Sequence, residues 1–173
     1  SMVKIKKQPL VSVIVTTFNR KEYLSETLHS ILMQTMTDFE LLVIDNYSDY
    51  DFLNFMLDFS DKRIRAYQNK NHGIIATNRN FGILKARGEF IAFCDDDDIW
   101  MAHKLEKQIP YFKKNDIVGV GSTMLVNKGV SRQAVLHQGK SREVTFKELL
   151  NFSSVALSSL VVKNTGLLCD EAK

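Results

Sequence analysis

Four consecutive aspartates, Asp95 to Asp98, follow a short apolar stretch and are followed in turn by Ile99 and Trp100. Two carboxylates about 4 Å apart repel each other by roughly 4 kcal/mol at an effective dielectric constant near 20. Carboxylates at this density therefore have to be protonated, splayed outward or bound to a cation. Aspartate oxygens are hard ligands, so the pattern predicts Mg²⁺ or Mn²⁺, shared with the phosphates of a substrate.

A plainer interpretation of the same residues is an acidic helix N-terminus. Aspartates there would complement the dipole of a helix predicted over Ala102–Lys114. One aspartate would favour this interpretation, but four at the end of a buried strand favour the cation site.

The elements that must position these carboxylates alternate between strand and helix. Apolar runs predict buried strands, and apolar residues at helical spacing predict amphipathic helices. The strands are predicted at Leu10–Thr17, Phe39–Asp45, Ile64–Gln68 and from Phe90 to the aspartates, and the helices at Glu22–Met33, Phe52–Phe59, Ile74–Ala86 and Lys104–Lys113. Gly88 is expected to cap the third helix and Pro110 to kink the fourth. This alternation predicts an α/β fold with a mainly parallel central sheet flanked by helices.

The last third of the chain has weaker patterns. The predictions there are strands at Ile117–Val120, Ser122–Val126 and Leu160–Val162, a turn at Asn127–Gly129, a returning hairpin strand over Ser131–Gln138 and a helix from Thr145 to Leu150.

Three polar segments leave the predicted strands at the same edge of the sheet. They are Thr16–Arg20, Asp45–Ser48 and Asp95–Asp98. In parallel sheets the ligand crevice lies beyond the carboxyl ends of the strands, so these segments are expected to form one site. The chain has no glycine-rich phosphate loop, which argues against a dehydrogenase or a P-loop enzyme. Phosphate must instead be neutralised by metal and side chains.

Composition limits the class of protein further. A chain of 173 residues suits one domain, and its net charge of +3 is small and scattered, which does not predict a nucleic-acid binder. The basic segment Lys4–Lys7 is interpreted as a solvated tail rather than a contact to a membrane or a phosphate polymer. Cys94 and Cys169 have no metal-ligand spacing and fit a reduced, cytoplasmic compartment. We expect neither a membrane span nor a signal peptide before the first strand.

Five segments, in chain order, resemble motifs of the second family of nucleotide-sugar glycosyltransferases, which are inverting enzymes with the GT-A fold. These segments are Val11–Arg20, Leu42–Asp49, His72–Glu89, Asp95–Trp100 and Lys104–Gln108. The resemblance covers about residues 10–126 firmly and the remainder loosely. It implies a GT-A-type Rossmann-like sandwich in a single domain over residues 1–173 that is truncated at its C-terminus. Residues 1–126 would bind the nucleotide-sugar and residues 127–173 would begin the acceptor side.

The resemblance also implies which residues form the site. It places around the nucleotide Thr16, Phe18, Asn19, Arg20, Asp45, Asn46, Arg79, Asp95 and Asp96. Asp97 is the first choice for the metal ligand, together with Asp95. Asp96 and Asp98 could exchange these roles, because four identical residues leave the register ambiguous.

Three of these residues carry open questions. Asn46 stands where the family more often has an aspartate that reads the uracil edge. Phe18 is interpreted either as a stacking platform for the base or as a core residue. Arg79 is interpreted either as a phosphate ligand or as part of a salt bridge on a helix surface.

The function implied is transfer of a sugar, with Mn²⁺ or Mg²⁺, from a nucleoside-diphosphate sugar, foremost a UDP-sugar, to a glycan, a lipid-linked glycan or another hydroxyl acceptor. Inversion and cell-surface polysaccharide synthesis come with the resemblance, as does peripheral contact with the inner face of the membrane. The catalytic base is expected beyond Lys173, with Asp170 and Glu171 structural. Two alternatives stay open: a non-catalytic or truncated nucleotide-sugar-binding module, and a sugar nucleotidyltransferase, which Val15–Lys21 disfavours by lacking glycine.

Overall fold

The computed structural model of the chain describes residues 7–113, 117–121, 125–127, 133–135, 141–143 and 157–171. The strands are β1 (Val11–Thr17), β2 (Phe39–Asp45), β3 (Ile64–Gln68), β4 (Phe90–Asp95), β5 (Ile117–Val120), β6 (Leu125–Asn127), β7 (Gln133–Val135), β8 (Ser141–Glu143) and β9 (Val161–Lys163). The helices are α1 (Lys21–Leu32), α2 (Phe52–Leu57), α3 (Ile75–Lys85) and α4 (Lys104–Gln108), and a 3₁₀ helix over Ile109–Lys113 follows α4.

The central sheet has the strand order β3-β2-β1-β4-β9-β5-β6. The first four strands pair in parallel, and each pairing from β4 to β6 is antiparallel. Among the strands of this sheet that the structure describes, five therefore point in one direction and two, β9 and β6, in the other. The prediction of an α/β fold with a mainly parallel sheet is confirmed.

Apolar side chains fill both faces of the sheet, because the central strands are apolar at successive positions. On one face, Val13 and Val43 pack with the helices α1 and α2 and with Trp100. On the other face, Ile14 and Leu42 pack with α3. A Cβ atom at Gly82 of α3 would lie 2.6 Å from Cγ2 of Ile14, so glycine allows this helix to lie close against β1.

Most predicted bounds hold to within two residues, with three differences along the chain. The extended backbone of Ala86, not Gly88, ends α3. Gly88 instead allows close contact with β1, because its N–H donates to Oγ of Ser12 at 2.8 Å and an added Cβ would lie 2.6 Å from the Ser12 nitrogen. The fourth helix is α-helical only to Gln108, and Pro110 lies in the 3₁₀ segment that follows it, where the predicted kink falls.

The third difference concerns the predicted hairpin. Its strand β7 pairs with β8, whereas β6 pairs with β5 at the edge of the central sheet. The alternating pattern that predicts a strand does not specify its partner. The predicted helix Thr145–Leu150 and residues 128–129 of the predicted turn lie outside the described residues. None of the helices that the structure describes is long and apolar enough to cross a membrane.

Candidate functional site

The carboxyl ends of β1, β2 and β4 meet at one edge of the sheet, as the polar strand exits predict. Thr17 lies opposite Asp45 in the pairing of β1 with β2, and Thr16 lies opposite Asp95 in the pairing of β1 with β4. An open cavity of about 600 Å³ lies at this edge. It is lined by Thr16, Thr17, Phe18, Arg20, Asn46, Asn71, Gly73, Ile75, Asn78, Arg79, Asp95, Asp96 and Asp97.

Three of the four consecutive aspartates can share one cation. Asp95, Asp97 and Asp98 each offer a carboxylate oxygen, and these oxygens lie within 4.8 Å of one another. The turn that gathers them is closed by the N–H of Asp98, which donates to the carbonyl of Asp95 at 3.2 Å. Oxygen-only donors of this kind fit Mg²⁺ or Mn²⁺.

The remaining aspartate, Asp96, turns inward and is only 6% exposed. Its carboxylate accepts hydrogen bonds from Oγ1 of Thr17 at 2.9 Å and from Nη1 of Arg20 at 3.2 Å. Asp96 thus lines the cavity while its oxygens are engaged by β1 and Arg20. The group of carboxylates that could hold one cation therefore includes Asp95, Asp97 and Asp98 but not Asp96.

Two arginines supply positive charge to the acidic loop. Nη1 of Arg20 also lies 3.0 Å from Oδ2 of Asp97, and Nη2 of Arg79 lies 3.4 Å from Oδ1 of Asp95. Arg79 is thus paired inside the cavity rather than along the helix surface. Burial raises the pKa of Asp95, although Arg79 acts in the opposite direction. The pKa of Asp96 is also raised by burial, against the effect of Thr17.

The turn after β2 is organised by Asp45, which is fully buried. Its carboxylate accepts from the N–H and the hydroxyl of Ser48 and from Nε2 of Gln68. Asn19, at a positive φ of 52°, braces the same turn, because its N–H donates to Oγ of Ser48 and its side chain pairs with Asp49. Of the residues predicted around the nucleotide, Asp45 and Asn19 are the two that do not line the cavity.

The other predicted nucleotide residues do line it. Phe18 is 49% exposed, so the interpretation as a core phenylalanine does not hold. Asn46 accepts a hydrogen bond at its Oδ1 from the N–H of Asn71 at 2.8 Å. Thr16 lies at the last pairing of β1 with β4.

Gly73 and Asn78 lie within the motif His72–Glu89, but sequence reasoning did not assign them, or Asn71, to the wall of the site. The side chain of Asn78 is almost fully buried, and it bonds the side chain and carbonyl of Asn69 at 2.8 and 2.9 Å. His72 and Gly73 both have positive φ, at 51° and 80°. The Asn-His-Gly sequence is a turn signal that could have indicated a loop at this place.

Behind the acidic loop, Trp100 is buried, with the ammonium group of Lys104 4.4 Å from its ring centroid. Burial lowers the pKa of Lys104 to about 8. The N–H of Asp95 donates to Oγ of Ser158 at 2.8 Å, which fixes the end of β4. Trp100 therefore packs in the core and supports the loop from behind.

The last described segment is attached to α3 by Asn80. Its Oδ1 accepts from the N–H of Cys169 at 2.7 Å, and its Nδ2 donates to the carbonyl of Cys169 at 2.9 Å. Nδ2 also donates to Oε1 of Glu171 at 2.7 Å. Glu171 is thus engaged in holding the segment in place.

Comparison with known proteins gives a family match and similar proteins. The family model described as glycosyl transferase family 2 matches residues 12–164. A relative from Escherichia coli, UDP-Glc:alpha-D-GlcNAc-diphosphoundecaprenol beta-1,3-glucosyltransferase WfgD, is 34% identical over 91% of the chain and 62% of its own length. The putative teichuronic acid biosynthesis glycosyltransferase TuaG of Bacillus subtilis is 28% identical over 90% of the chain and 62% of its own length. The chain thus spans about 62% of these relatives.

Among solved structures, the fold is similar to that of S. aureus TarS 1–349 in complex with UDP-GlcNAc. The TM-score is 0.64 and the identity 25%, over 89% of this chain and 45% of that one. The likeness to TarS confirms the GT-A-type Rossmann-like sandwich.

Proposed function

Because the chain belongs to glycosyl transferase family 2, we propose that its cavity binds a nucleoside-diphosphate sugar, foremost a UDP-sugar. The sugar is then transferred with inversion to a hydroxyl of a glycan or a lipid-linked glycan, in the synthesis of a cell-surface polysaccharide. A relative named for a UDP-glucose donor and a diphosphoundecaprenol acceptor supports this choice of substrates. A lipid-linked acceptor would bring the protein to the inner face of the membrane as a peripheral partner.

One observation carries the proposal: a single cavity brings together the carboxylates of Asp95 and Asp97, the guanidinium groups of Arg20 and Arg79 and the exposed ring of Phe18. A nucleoside diphosphate offers a matching sequence of groups, with a flat base at one end and an anionic diphosphate at the other. A phenylalanine ring can stack on a base, and an arginine can donate two parallel hydrogen bonds to the oxygens of a phosphate.

Asp95, Asp97 and Asp98 would hold the divalent ion, Mn²⁺ or Mg²⁺. When bound, the ion acts as a Lewis acid that stabilises the negative charge of the departing diphosphate. Arg20 and Arg79 would contact the phosphates. Asp45 would act indirectly, since its buried carboxylate holds the turn that carries Asn46.

Inversion requires a general base on the acceptor hydroxyl, opposite the leaving group. By resemblance to the family, this base follows the segment that ends at Asp170 and Glu171, in sequence beyond Lys173. The bond from Asn80 to Glu171 supports a structural role for that glutamate. We therefore propose that residues 1–126 form the donor side and that residues 127–173 begin the acceptor side. The family match does not favour a sugar nucleotidyltransferase.

A binding experiment tests the proposal directly. The dissociation constants of UDP, GDP and dTDP are measured by calorimetry, with Mn²⁺ and with EDTA. We expect UDP to bind most tightly and to need the metal. Equal binding of all three in EDTA, or no binding at all, would contradict the proposal. Transfer is tested separately, as release of UDP from UDP-glucose with an undecaprenyl-diphosphate glycan present.

A further inference from the structure

Arg20 already places a positive charge inside the acidic loop. A single nitrogen, Nη1, lies 3.2 Å from Oδ1 of Asp96 and 3.0 Å from Oδ2 of Asp97. The two carboxylates differ in freedom: the side chain of Asp96 is 9% exposed and anchored by Thr17, whereas that of Asp97 is 46% exposed. Arg20 thus joins a fixed carboxylate to one of the three that could hold a cation.

Arg20 would oppose the binding of a cation in the absence of nucleotide. The cation would compete with the guanidinium group for Asp97, and it would meet a like charge at close range. Binding of the metal without nucleotide is therefore weakened by Arg20.

The contact between Arg20 and Asp97 would also weaken the binding of a nucleotide in the absence of metal. The Arg20 side chain is half exposed and lines the same cavity, so its remaining N–H groups are open to a phosphate. If the guanidinium group moves to the phosphate, Asp97 loses its counter-charge beside Asp95 and Asp98. The diphosphate would then face the carboxylate of Asp97 without its arginine partner.

We infer that Arg20 passes from Asp97 to the diphosphate when metal and nucleotide bind together, so that each ligand strengthens binding of the other. When both ligands bind, the free-energy cost of breaking the contact between Arg20 and Asp97 is incurred only once. The metal then supplies the positive charge that Arg20 no longer supplies to Asp97. Thermodynamic linkage makes the strengthening equal in both directions. This inference rests on the proposed function, because it requires a diphosphate in the cavity.

The first test measures the dissociation constant of Mn²⁺ without nucleotide, with the concentration of free Mn²⁺ determined from its electron paramagnetic resonance signal. We expect Arg20→Gln to lower the dissociation constant of Mn²⁺ about tenfold, since it removes both the competitor and the like charge. The matched control is Lys21→Gln, which removes the same charge one residue away. The ammonium group of Lys21 lies over the rings of Phe55 and Tyr50, at 5.4 and 5.8 Å, so Mn²⁺ affinity should not change.

The second test measures how many-fold UDP tightens the binding of Mn²⁺. This factor should fall about tenfold in Arg20→Gln and stay above one, because the ion would still attract both the carboxylates and the diphosphate. Unchanged Mn²⁺ affinity in Arg20→Gln would overturn the inference. If Arg20→Gln binds Mn²⁺ more tightly but UDP strengthens that binding by the wild-type factor, the movement of Arg20 to the diphosphate would be overturned.

Arg20→Lys provides a second variant in case Arg20→Gln does not fold. Lysine keeps the charge but lacks the planar fork of donors, so the UDP-dependent factor should fall about threefold. A folded Arg20→Lys protein with the wild-type factor would count against the inference. Failure of the proposed function looks different, because the wild-type protein would then bind no UDP in Mn²⁺.

Discussion

The backbone N–H of Asn71 donates a hydrogen bond to Oδ1 of Asn46 over 2.8 Å, at the wall of the cavity. A backbone N–H can only donate, so this bond fixes which end of the Asn46 amide is the oxygen. The NH₂ group is left for a ligand in the cavity. Asn46 is therefore suited to a carbonyl oxygen of a base rather than to an N–H group.

The substitution Asn46→Asp should change how a uracil base is read. An aspartate would still accept from Asn71 and would offer a second oxygen, which can accept from N3–H of uracil. Loss of a hydrogen bond to a charged group costs about 1.5–3 kcal/mol. We therefore expect the ratio of the dissociation constant of 3-methyl-UDP to that of UDP to be at least tenfold larger in Asn46→Asp than in the wild type. The exposed Asn54→Asp controls for the added charge, and an equal penalty in all three proteins would exclude this role.

Replacement of Phe18 by alanine should weaken nucleotide binding without loss of the fold. Stacking of a base on an aromatic ring contributes about 1–3 kcal/mol, which corresponds to roughly a 5–150-fold higher dissociation constant for UDP. The ring is 49% exposed, so the melting temperature should change little. Tyr23→Ala is the control, because Tyr23 is 60% exposed on α1 and lies outside the cavity. A collapsed melting temperature with normal UDP affinity would exclude the stacking role and show that Phe18 contributes to stability.

Asp97→Asn should abolish the dependence of UDP binding on metal. The change keeps the shape of the side chain and removes one of the three carboxylates that can share a cation. Couplings between ligands are typically about 5–150-fold, so the wild-type affinity for UDP should differ by such a factor between Mn²⁺ and EDTA. In Asp97→Asn the two affinities should be nearly equal, while Asp58→Asn, exposed at the end of α2, behaves as wild type. Normal Mn²⁺ dependence in Asp97→Asn would place the metal elsewhere.

At the opposite end of the sheet, Glu40 should make stability depend on pH. Its buried carboxylate accepts from Ser12, from Nη1 of Arg65 and from Arg87. Burial alone would raise the pKa of Glu40, but these hydrogen bonds outweigh it and hold the pKa below 4.5. A lowered folded-state pKa means that the stabilisation is complete above the unfolded-state value. It is lost as the pH falls through the folded-state value.

Urea unfolding of Glu40→Gln against wild type measures this effect. The arginines left behind are 26% and 44% exposed and can be solvated, so the main cost is the loss of hydrogen bonds to a charged group. Such a loss costs about 1.5–3 kcal/mol, and the free energy of unfolding should fall by about that amount at pH 7. The difference should shrink as the pH falls below the ordinary pKa of glutamate and through the lowered folded-state pKa of Glu40, because the wild type then loses the same charge. Asp61→Asn should cost about 1 kcal/mol or less, because the carboxylate of Asp61 is 26% exposed, against 3% for that of Glu40. A difference between Glu40→Gln and wild type that is constant with pH would exclude the titration of Glu40 as its cause.

The sequence predicts the bounds of two strands best. The predicted and observed bounds of Phe39–Asp45 and Ile64–Gln68 are identical. Leu41–Ile44 is apolar on both faces, as a buried parallel strand requires, whereas Ile64–Gln68 is only partly buried and includes Arg65 and Gln68. The shared edge of Thr16, Asp45 and Asp95 also follows, because parallel strands place their carboxyl ends together.

What the sequence could not predict depends on contacts between distant residues. Nothing in the strand that ends at Asp45 shows that Ser48 and Gln68 enclose its carboxylate. Four identical aspartates carry no signal of which one turns toward Thr17. Short polar side chains such as Asn78 form bonds across loops, and those bonds have no sequence period.

The last prediction separates two asparagines of α3 that lie two residues apart. Asn78 holds the loop at Asn69, and Asn80 holds the segment at Cys169. An unsatisfied buried polar group costs about 1–3 kcal/mol, so each alanine variant should loosen only the segment that its asparagine holds. Native-state hydrogen exchange should show faster exchange at the Cys169 amide in Asn80→Ala and in the loop after Asn69 in Asn78→Ala. Each variant is the control for the other, since both remove a buried amide from the same helix. Equal loosening of both segments in both variants would mean that α3 itself unfolds, and the separate roles would be excluded.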